Sequence, residues 1–417
     1  MKILQINNCH YRRGGADVVY LNTGQLLTKM GHQVIYFSQK SKSNHETSSS
    51  KYFIEGIDYF NSSIVNRTLL IPRFFYSFEA KNKLEKLIIN EKPDITHIHL
   101  YKGTLTPSIL KTLKKYRVPT ILTLHDYGLL CPHNLFIDGK NQICERCVGS
   151  TAFNCIIHKC NHSSYALSSV SAVEFIFNNT FFSFDKYFNK IITVSNFALD
   201  KHMGAFSEFS DKFTHLYNFY PDLINTPINS IKGGYCLFYS RLSKEKGAIT
   251  LLKAWCKINK DIKLKIAGTG PEMEALKKIK AEEKLTNVEF LGHIEGYVLD
   301  ENIKNASFII VPSEWYENNP LTVIEAYANG KPVITSNAGG LPEIVIDNKT
   351  GFLFEMGNSA SLSEAILKAD NLSTKEYELF SQNARNFAEE NFNEKKHYDR
   401  LMQIYSEAIL KEKENYA

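Results

Sequence analysis

Short apolar runs of four to seven residues recur along this chain, and most are separated by stretches whose apolar residues fall three and four apart. KILQIN (2–7), QVIYFS (33–38), DITHIHL (94–100), TILTLHD (120–126) and KIITVS (190–195) read as strands. Residues 15–31, 79–91 and 106–116 carry the helical spacing between them; Gly31 stops the first helix and Pro93 halts the second. A segment rich in Pro, Gly and Asn (217–234) interrupts the pattern, which then restarts. YCLFYS, helix 247–258, KLKIAG, helix 271–284, VEFLG, SFIIVP, helix 320–329 and PVITS follow in order. A helix between two strands carries the chain back to the starting edge, so the strands pair in parallel and need helices on both faces. At 417 residues the chain exceeds one ordinary core. The expected fold class is therefore α/β, two doubly wound Rossmann-like domains facing a cleft. The boundaries are read as 1–217 for the first domain, with a cysteine-rich insertion at 131–160, 218–232 for a linker and 233–373 for the second domain. Charged helices at 374–417 are expected to pack across the domain junction.

In open parallel sheets ligands bind beyond the carboxyl ends of the strands, so the loops there carry the chemistry. After strand 235–240 comes RLSKEKG, in which Arg241 and Lys246 flank a helix start. Free N–H groups there already favour an anion; an arginine fork and a lysine point charge suit a diphosphate. AGTGPE (267–272) places Gly268 and Gly270 where backbone must approach closely, with Pro271 in the first helical turn. After strand 307–312 the stretch SEWYENNPLTVIEAYANG sets Glu317 in a polar loop and Glu325 within a helix begun by Pro320 and ended by Gly330. Carboxylates so placed can accept hydrogen bonds from sugar hydroxyls and from a ribose diol. Read singly, each of these features is also what a solvated surface charge or an ordinary turn looks like.

Taken together, R-x4-K-G, GxGP and E-x7-E running into EA-x-A-x-G-x-PVI resemble the retaining nucleotide-sugar glycosyltransferases of family four, which have the GT-B fold. GGAD (14–17) resembles that family's GGAE turn, and TLHDYGLLCP (123–132) a further family motif. The resemblance spans most of the chain. It implies an N-terminal acceptor-side domain and a C-terminal nucleotide-sugar-binding domain. It implies that Arg241 and Lys246 hold the donor diphosphate, Glu325 the nucleotide ribose and Glu317 the donor sugar. The backbone of Asn319, Leu321 and Thr322 would reach the diphosphate or sugar, with Gly14 and Gly15 close to the donor phosphate, Gly268 on the donor side and His125 facing the sugar from the opposite domain. Where the family often has E-P-x-G this chain has E-N-N-P, and Pro320 has no N–H to donate. The implied reaction moves a sugar from a nucleotide-diphosphate donor to a glycan or lipid-linked glycan acceptor in surface polysaccharide synthesis. No Asp-x-Asp pair follows a strand near these loops, so no cofactor is expected for catalysis. A nucleotide-sugar epimerase of similar architecture and a non-catalytic nucleotide-sugar-binding protein are the alternatives.

The net charge of +5 is small for a dedicated nucleic-acid binder, and no nucleic acid is expected as partner. No apolar run approaches the ~18 residues of a membrane span, and the N-terminus lacks the apolar core of a signal peptide. The expected location is the cytoplasm, with peripheral contact at the inner face of the membrane as one reading of the aromatic and basic stretches 66–83 and 172–190. Ordinary helices burying aromatics are the other. Five of the eight cysteines crowd into the insertion. Cys144 and Cys147 have zinc-knuckle spacing, and Cys155 and Cys160 would complete a four-sulfur site for a structural zinc ion. His158 and His162 are rival ligands, and free thiols in a packed loop are the alternative.

Overall fold

The structure is a computed structural model that describes residues 1–56 and 72–414. Its N-terminal lobe is built on a parallel sheet of β1 (Lys2–Ile6), β2 (Gln33–Phe37), β3 (Ile95–Ile98), β4 (Thr120–Leu124), β5 (Lys190–Thr193) and β6 (Phe213–His215). The C-terminal lobe repeats the plan with β7 (Cys236–Tyr239), β8 (Leu264–Ala267), β9 (Val288–Gly292), β10 (Phe308–Val311), β11 (Val333–Ser336) and β12 (Gly351–Phe354). The spatial orders are β2-β1-β3-β4-β5-β6 and β12-β11-β10-β7-β8-β9. In each lobe the chain winds one way from its first strand, then returns to that strand's other side. The direction reverses between β1 and β3 and between β7 and β10, so crevices open at their carboxyl ends. The loops carrying Gly14, Arg241, Lys246 and Glu317 leave from these points.

Each sheet is covered on both faces. Ile6, Leu122 and Ile191 point into one N-terminal core with the helices Phe78–Glu91 and Ser108–Lys115. On the other face Ile3, Ile95, Ile121 and Ile192 meet Leu401, Ile404, Tyr405 and Ala408. These four fall on one stripe of the helix Glu394–Glu414, which returns to the N-terminal lobe after the helix Thr374–Asn391 has packed on the C-terminal one. Complete burial of Leu401 and Ile404 contributes roughly 1.5–3 kcal/mol each to that docking.

The short strands β6 and β12 and the helices Gly296–Lys304 and Ser359–Asp370 carry too little pattern to stand out in the sequence. The insertion 131–160 is mostly turns around the short helix Phe153–Ile157, followed by the long helix Tyr165–Phe181. Of the basic and aromatic stretch 66–83, residues 66–71 lie outside the described residues. No helix among the described residues is long and apolar enough to cross a membrane.

Candidate active site

Strand β10 ends in a loop held from below. Glu317 is almost fully buried, and its Oε1 accepts hydrogen bonds from Lys246 Nζ and Ser313 Oγ, both at 2.7 Å. Burial alone would raise the carboxyl's pKa; the adjacent Lys246 charge and these hydrogen bonds outweigh it and lower the pKa, so Glu317 is ionised. Lys246 reaches it because Gly247 takes a left-handed turn (φ +69°) that brings the β7 loop against β10; a Cβ there would lie 1.8 Å from the Pro312 carbonyl oxygen. The Lys246 ammonium also lies 4.9 Å from the Trp315 ring centre.

Glu325 sits in the helix Leu321–Ala328, with Oε2 3.0 Å from the Tyr239 hydroxyl at the end of β7. Burial and the nearby Asp300 raise its pKa to about 7, against the Tyr239 hydrogen bond and the charge of Arg12. Arg12 belongs to the turn before Gly14 and Gly15, so the opening loop of the N-terminal lobe faces Glu325. The helix Gly15–Lys29 starts there, and a Cβ on Gly15 would meet nothing within 4 Å. Asp17 is turned inward, accepting from Asn7 Nδ2 at 2.7 Å.

The two carboxylates of the E-x7-E motif thus bracket one helix start. Pro320 occupies the cap position, and Leu321 and Thr322 follow with N–H groups that have no partner within the helix. Asn319 is clasped by Asn218, whose N–H donates to its Oδ1 (2.8 Å) and whose Nδ2 donates to its carbonyl (3.0 Å). The Asn319 Nδ2 is buried with no acceptor among the described residues. Asn318 Nδ2 donates to the His125 carbonyl at 3.0 Å, joining the β10 loop to the β4 loop across the cleft. His125 is partly buried, and burial lowers its pKa to about 4, so the ring is neutral.

Arg241 stands apart from this group. It is exposed and lines a cleft of about 450 Å³ between the β7 loop and the cysteine-rich insertion, beside His133, Asp138 and Glu272. Gly268 (φ +131°) serves packing: its N–H donates to the Gly292 carbonyl at 2.6 Å, and a Cβ would lie 1.9 Å from the Ser240 carbonyl oxygen.

The cysteines are all free, and the five of the insertion are buried. Among the described residues no three His, Cys, Asp or Glu side chains form a group that could hold a metal ion. Of the four cysteines named as zinc ligands, Cys147, Cys155 and Cys160 share one buried cluster. Cys147, Cys155 and Cys160 pack with Ala152 and Ala172 as small apolar residues, while Cys144 Sγ lies 3.3 Å from the Arg146 guanidinium.

Several residues of this region gave no signal in the sequence. Tyr239 could have been found as the last residue of the strand at a reversal point. Glu343 could not. Its Oε2 accepts from the N–H and the Nδ2 of Asn196 (both 2.9 Å) and from the Tyr217 hydroxyl (3.0 Å), tying the C-terminal lobe to a helix start in the N-terminal lobe. Gly340 brings that loop in: a Cβ would lie 2.1 Å from the Asn318 carbonyl oxygen and 2.9 Å from Ser195 Cβ.

Residues 13–220 match the family model "Glycosyltransferase Family 4", and residues 228–387 match "Glycosyl transferases group 1". The chain is 23% identical to N-acetyl-alpha-D-glucosaminyl L-malate synthase of Bacillus anthracis, over 97% of this chain and 97% of that enzyme. It is 26% identical to an uncharacterized protein in the cps region of Klebsiella pneumoniae, over 82% of this chain and 87% of the relative. Anabaena Alr3699/HepE in complex with UDP superposes with a TM-score of 0.67 at 17% identity, over 97% of this chain and all of that one (100%). Sucrose-phosphate synthase from Thermosynechococcus elongatus gives 0.69 at 19%, over 97% and 98%. With a matching model on each lobe and the two-lobed architecture shared end to end, this chain is a GT-B protein that belongs to the group 1, family four glycosyltransferases, transferases of polysaccharide or glycoconjugate synthesis.

Proposed function

We propose that the protein is a retaining glycosyltransferase that moves a sugar from a nucleotide-diphosphate donor to a glycan or lipid-linked glycan acceptor in surface polysaccharide synthesis, without a catalytic metal ion. One observation carries the reading: Glu317 and Glu325 bracket the start of the helix Leu321–Ala328, with Lys246 bonded to the first and the His125 loop bonded across the cleft to the residue between them. The helix start and Lys246 offer positive potential to a departing diphosphate, and Arg241 supplies a second cation on the same loop. Three N–H groups on Lys246 leave donors beyond the one given to Glu317. Glu325 accepts from the ribose. Glu317 orients the donor sugar; an oxygen already taken by Lys246 and Ser313 is a poor nucleophile. Same-face departure and attack, with the leaving phosphate accepting the acceptor's proton, then accounts for retention. Gly14, Gly15 and Arg12 close over the phosphates from the N-terminal lobe.

The lipid-linked acceptor draws support from the helix Tyr165–Phe181. Its solvent face exposes Tyr165, Val170, Val173, Ile176 and Phe181, and Lys159 lies 4.3 Å over the Tyr165 ring. Such a face suits peripheral contact with the anionic inner leaflet from the cytoplasmic side. The reading is tested by acceptor-free hydrolysis across a panel of nucleotide sugars, with K246A and E325A as controls. Wild-type protein releases nucleoside diphosphate from one donor and both variants lose it. Tight donor binding with no turnover would instead establish a sensor, and release of an epimerised sugar an epimerase. Flotation with anionic liposomes tests the membrane contact; recovery only in the soluble fraction removes it.

A further inference from the structure

Behind His125 runs a buried chain of side chains that the reaction as described does not use. His99 Nδ1 lies 2.9 Å from His125 Nε2, and His99 Nε2 lies 3.1 Å from the amide oxygen of Gln5. The Gln5 amide nitrogen donates to the Tyr405 hydroxyl at 3.4 Å. That hydroxyl lies 2.9 Å from His97 Nδ1, and His97 Nε2 lies 2.7 Å from Thr123 Oγ1. The His97 and His99 rings are near-parallel at 4.3 Å, and those of His99 and His125 at 5.2 Å. Gln5, His97, His99 and Tyr405 are all buried.

The proton order follows from these distances. Burial, joined for His97 by the nearby His125 and His397 and for His99 by His97, His125 and His397, disfavours the charged imidazole throughout the set, so each ring carries one proton. The Gln5 amide oxygen can only accept, so His99 carries its proton on Nε2. Its Nδ1 is then an acceptor, and among the described residues the atom placed to donate to it is His125 Nε2. The single proton of His125 is therefore on Nε2, and its Nδ1 keeps a lone pair.

We infer that His99 is a positioning residue which, anchored by Gln5 and through it by Tyr405 of the last helix, holds His125 in the Nε2–H tautomer so that Nδ1 presents a fixed acceptor to a hydroxyl of the donor sugar. This rests on the proposed function only for the identity of what Nδ1 meets; the tautomer itself is a property of the free protein. Three segments distant in sequence combine to set one lone pair: β1 supplies Gln5, the residue just past β3 is His99, and the helix Glu394–Glu414 supplies Tyr405.

The test is long-range 1H–15N correlation on full-length protein with 15N-labelled histidine, alongside donor kinetics of two variants. Wild-type protein should show His125 protonated on Nε2 at neutral pH. His99→Asn keeps an acceptor oxygen near the Nδ1 position and should preserve both the tautomer and the donor kcat/KM. His99→Phe keeps the ring but removes the acceptor, and should give mixed His125 tautomers and a loss of roughly tenfold in donor kcat/KM, the size of one neutral hydrogen bond, with the acceptor KM unchanged. His125 protonated on Nδ1 or on both nitrogens in the wild type, or H99N behaving as H99F does, would overturn the inference. The expected tautomers with no kinetic change in H99F would leave the relay standing and sink His125's assignment to the sugar.

Discussion

Removing the Lys246 ammonium should cost stability in a way that only Glu317 explains. In the wild type, Glu317 has a pKa below its ordinary value, so its stabilisation is present at neutral pH and lost only in acid, as pH falls through the lowered value. In Lys246→Met the opposing charge is gone and burial dominates. The carboxyl's pKa then rises above that of the unfolded chain, and stability falls as pH rises towards neutral. Breaking a buried pair from one side costs ~3–5 kcal/mol. Lys246 is 23% exposed and Glu317 7%, so the low end applies. At roughly 2–4 °C per kcal/mol for a lobe of this size, K246M should lower the midpoint by about 6–12 °C at pH 8 and by distinctly less at pH 5. Adding Glu317→Gln removes the stranded charge, and K246M/E317Q should recover most of the loss. The assay is intrinsic fluorescence during thermal unfolding. The protein has 2 tryptophans, Trp255 and Trp315. Both lie in the C-terminal lobe, so the signal follows that lobe even though the whole chain is not expected to unfold in one step. Equal midpoints for K246M and K246M/E317Q, or a K246M deficit independent of pH, would refute the reasoning.

Glu325 should confer a second pH dependence of opposite origin. Its folded pKa of about 7 exceeds the ordinary carboxyl value, so the folded state holds the extra proton between the two and apo stability declines as pH rises through that window; E325Q should flatten this slope in pH-dependent midpoints. Gly340→Ala should push the Asn318 loop off His125, cutting kcat by roughly 100-fold and, at ~1–3 kcal/mol of overpacking, lowering the tryptophan midpoint by about 2–12 °C, read from steady-state kinetics and the same melting assay. Arg385, 4% exposed, donates to the carbonyls of Leu223, Thr226 and Ala328. R385L leaves the Thr226 and Ala328 oxygens unpaired at ~1–3 kcal/mol each, while the Leu223 carbonyl keeps the Thr226 N–H, so the fluorescence midpoint should drop by about 4 °C or more.

What the sequence disclosed was what local pattern can encode. The apolar runs at 3–6 and 308–311 announce buried parallel strands because both faces are covered, and Glu317, Lys246 and Glu325 could be named because loop chemistry sits at fixed offsets from strand ends. Partners brought together by the fold were not legible. Ser313 under Glu317 and Asn218 on Asn319 are ordinary polar residues until the loops meet. The His97 and His99 pair was visible only as alternating residues of a strand; its meaning depends on Gln5 and on Tyr405, which lies 400 positions from Gln5 in sequence. The cysteine run gave a spacing but not its surroundings. The fold gathers three of those thiols in one buried cluster, with Arg146 beside a fourth.

The return of the helix Glu394–Glu414 to the lobe where the chain begins has a mechanical consequence. The polypeptide passes from lobe to lobe twice, near Tyr220 and again near Phe392, and the passages are stitched together: Tyr220 N–H donates to the Phe392 carbonyl at 2.9 Å, and the His397 ring bonds the Tyr217 carbonyl, also at 2.9 Å. A single tether would let one lobe swivel in any direction. A doubled one behaves like a door hung on two pins, so that any opening between the lobes is confined to swinging about one axis, and closing brings the Glu317 loop back to the same face of His125.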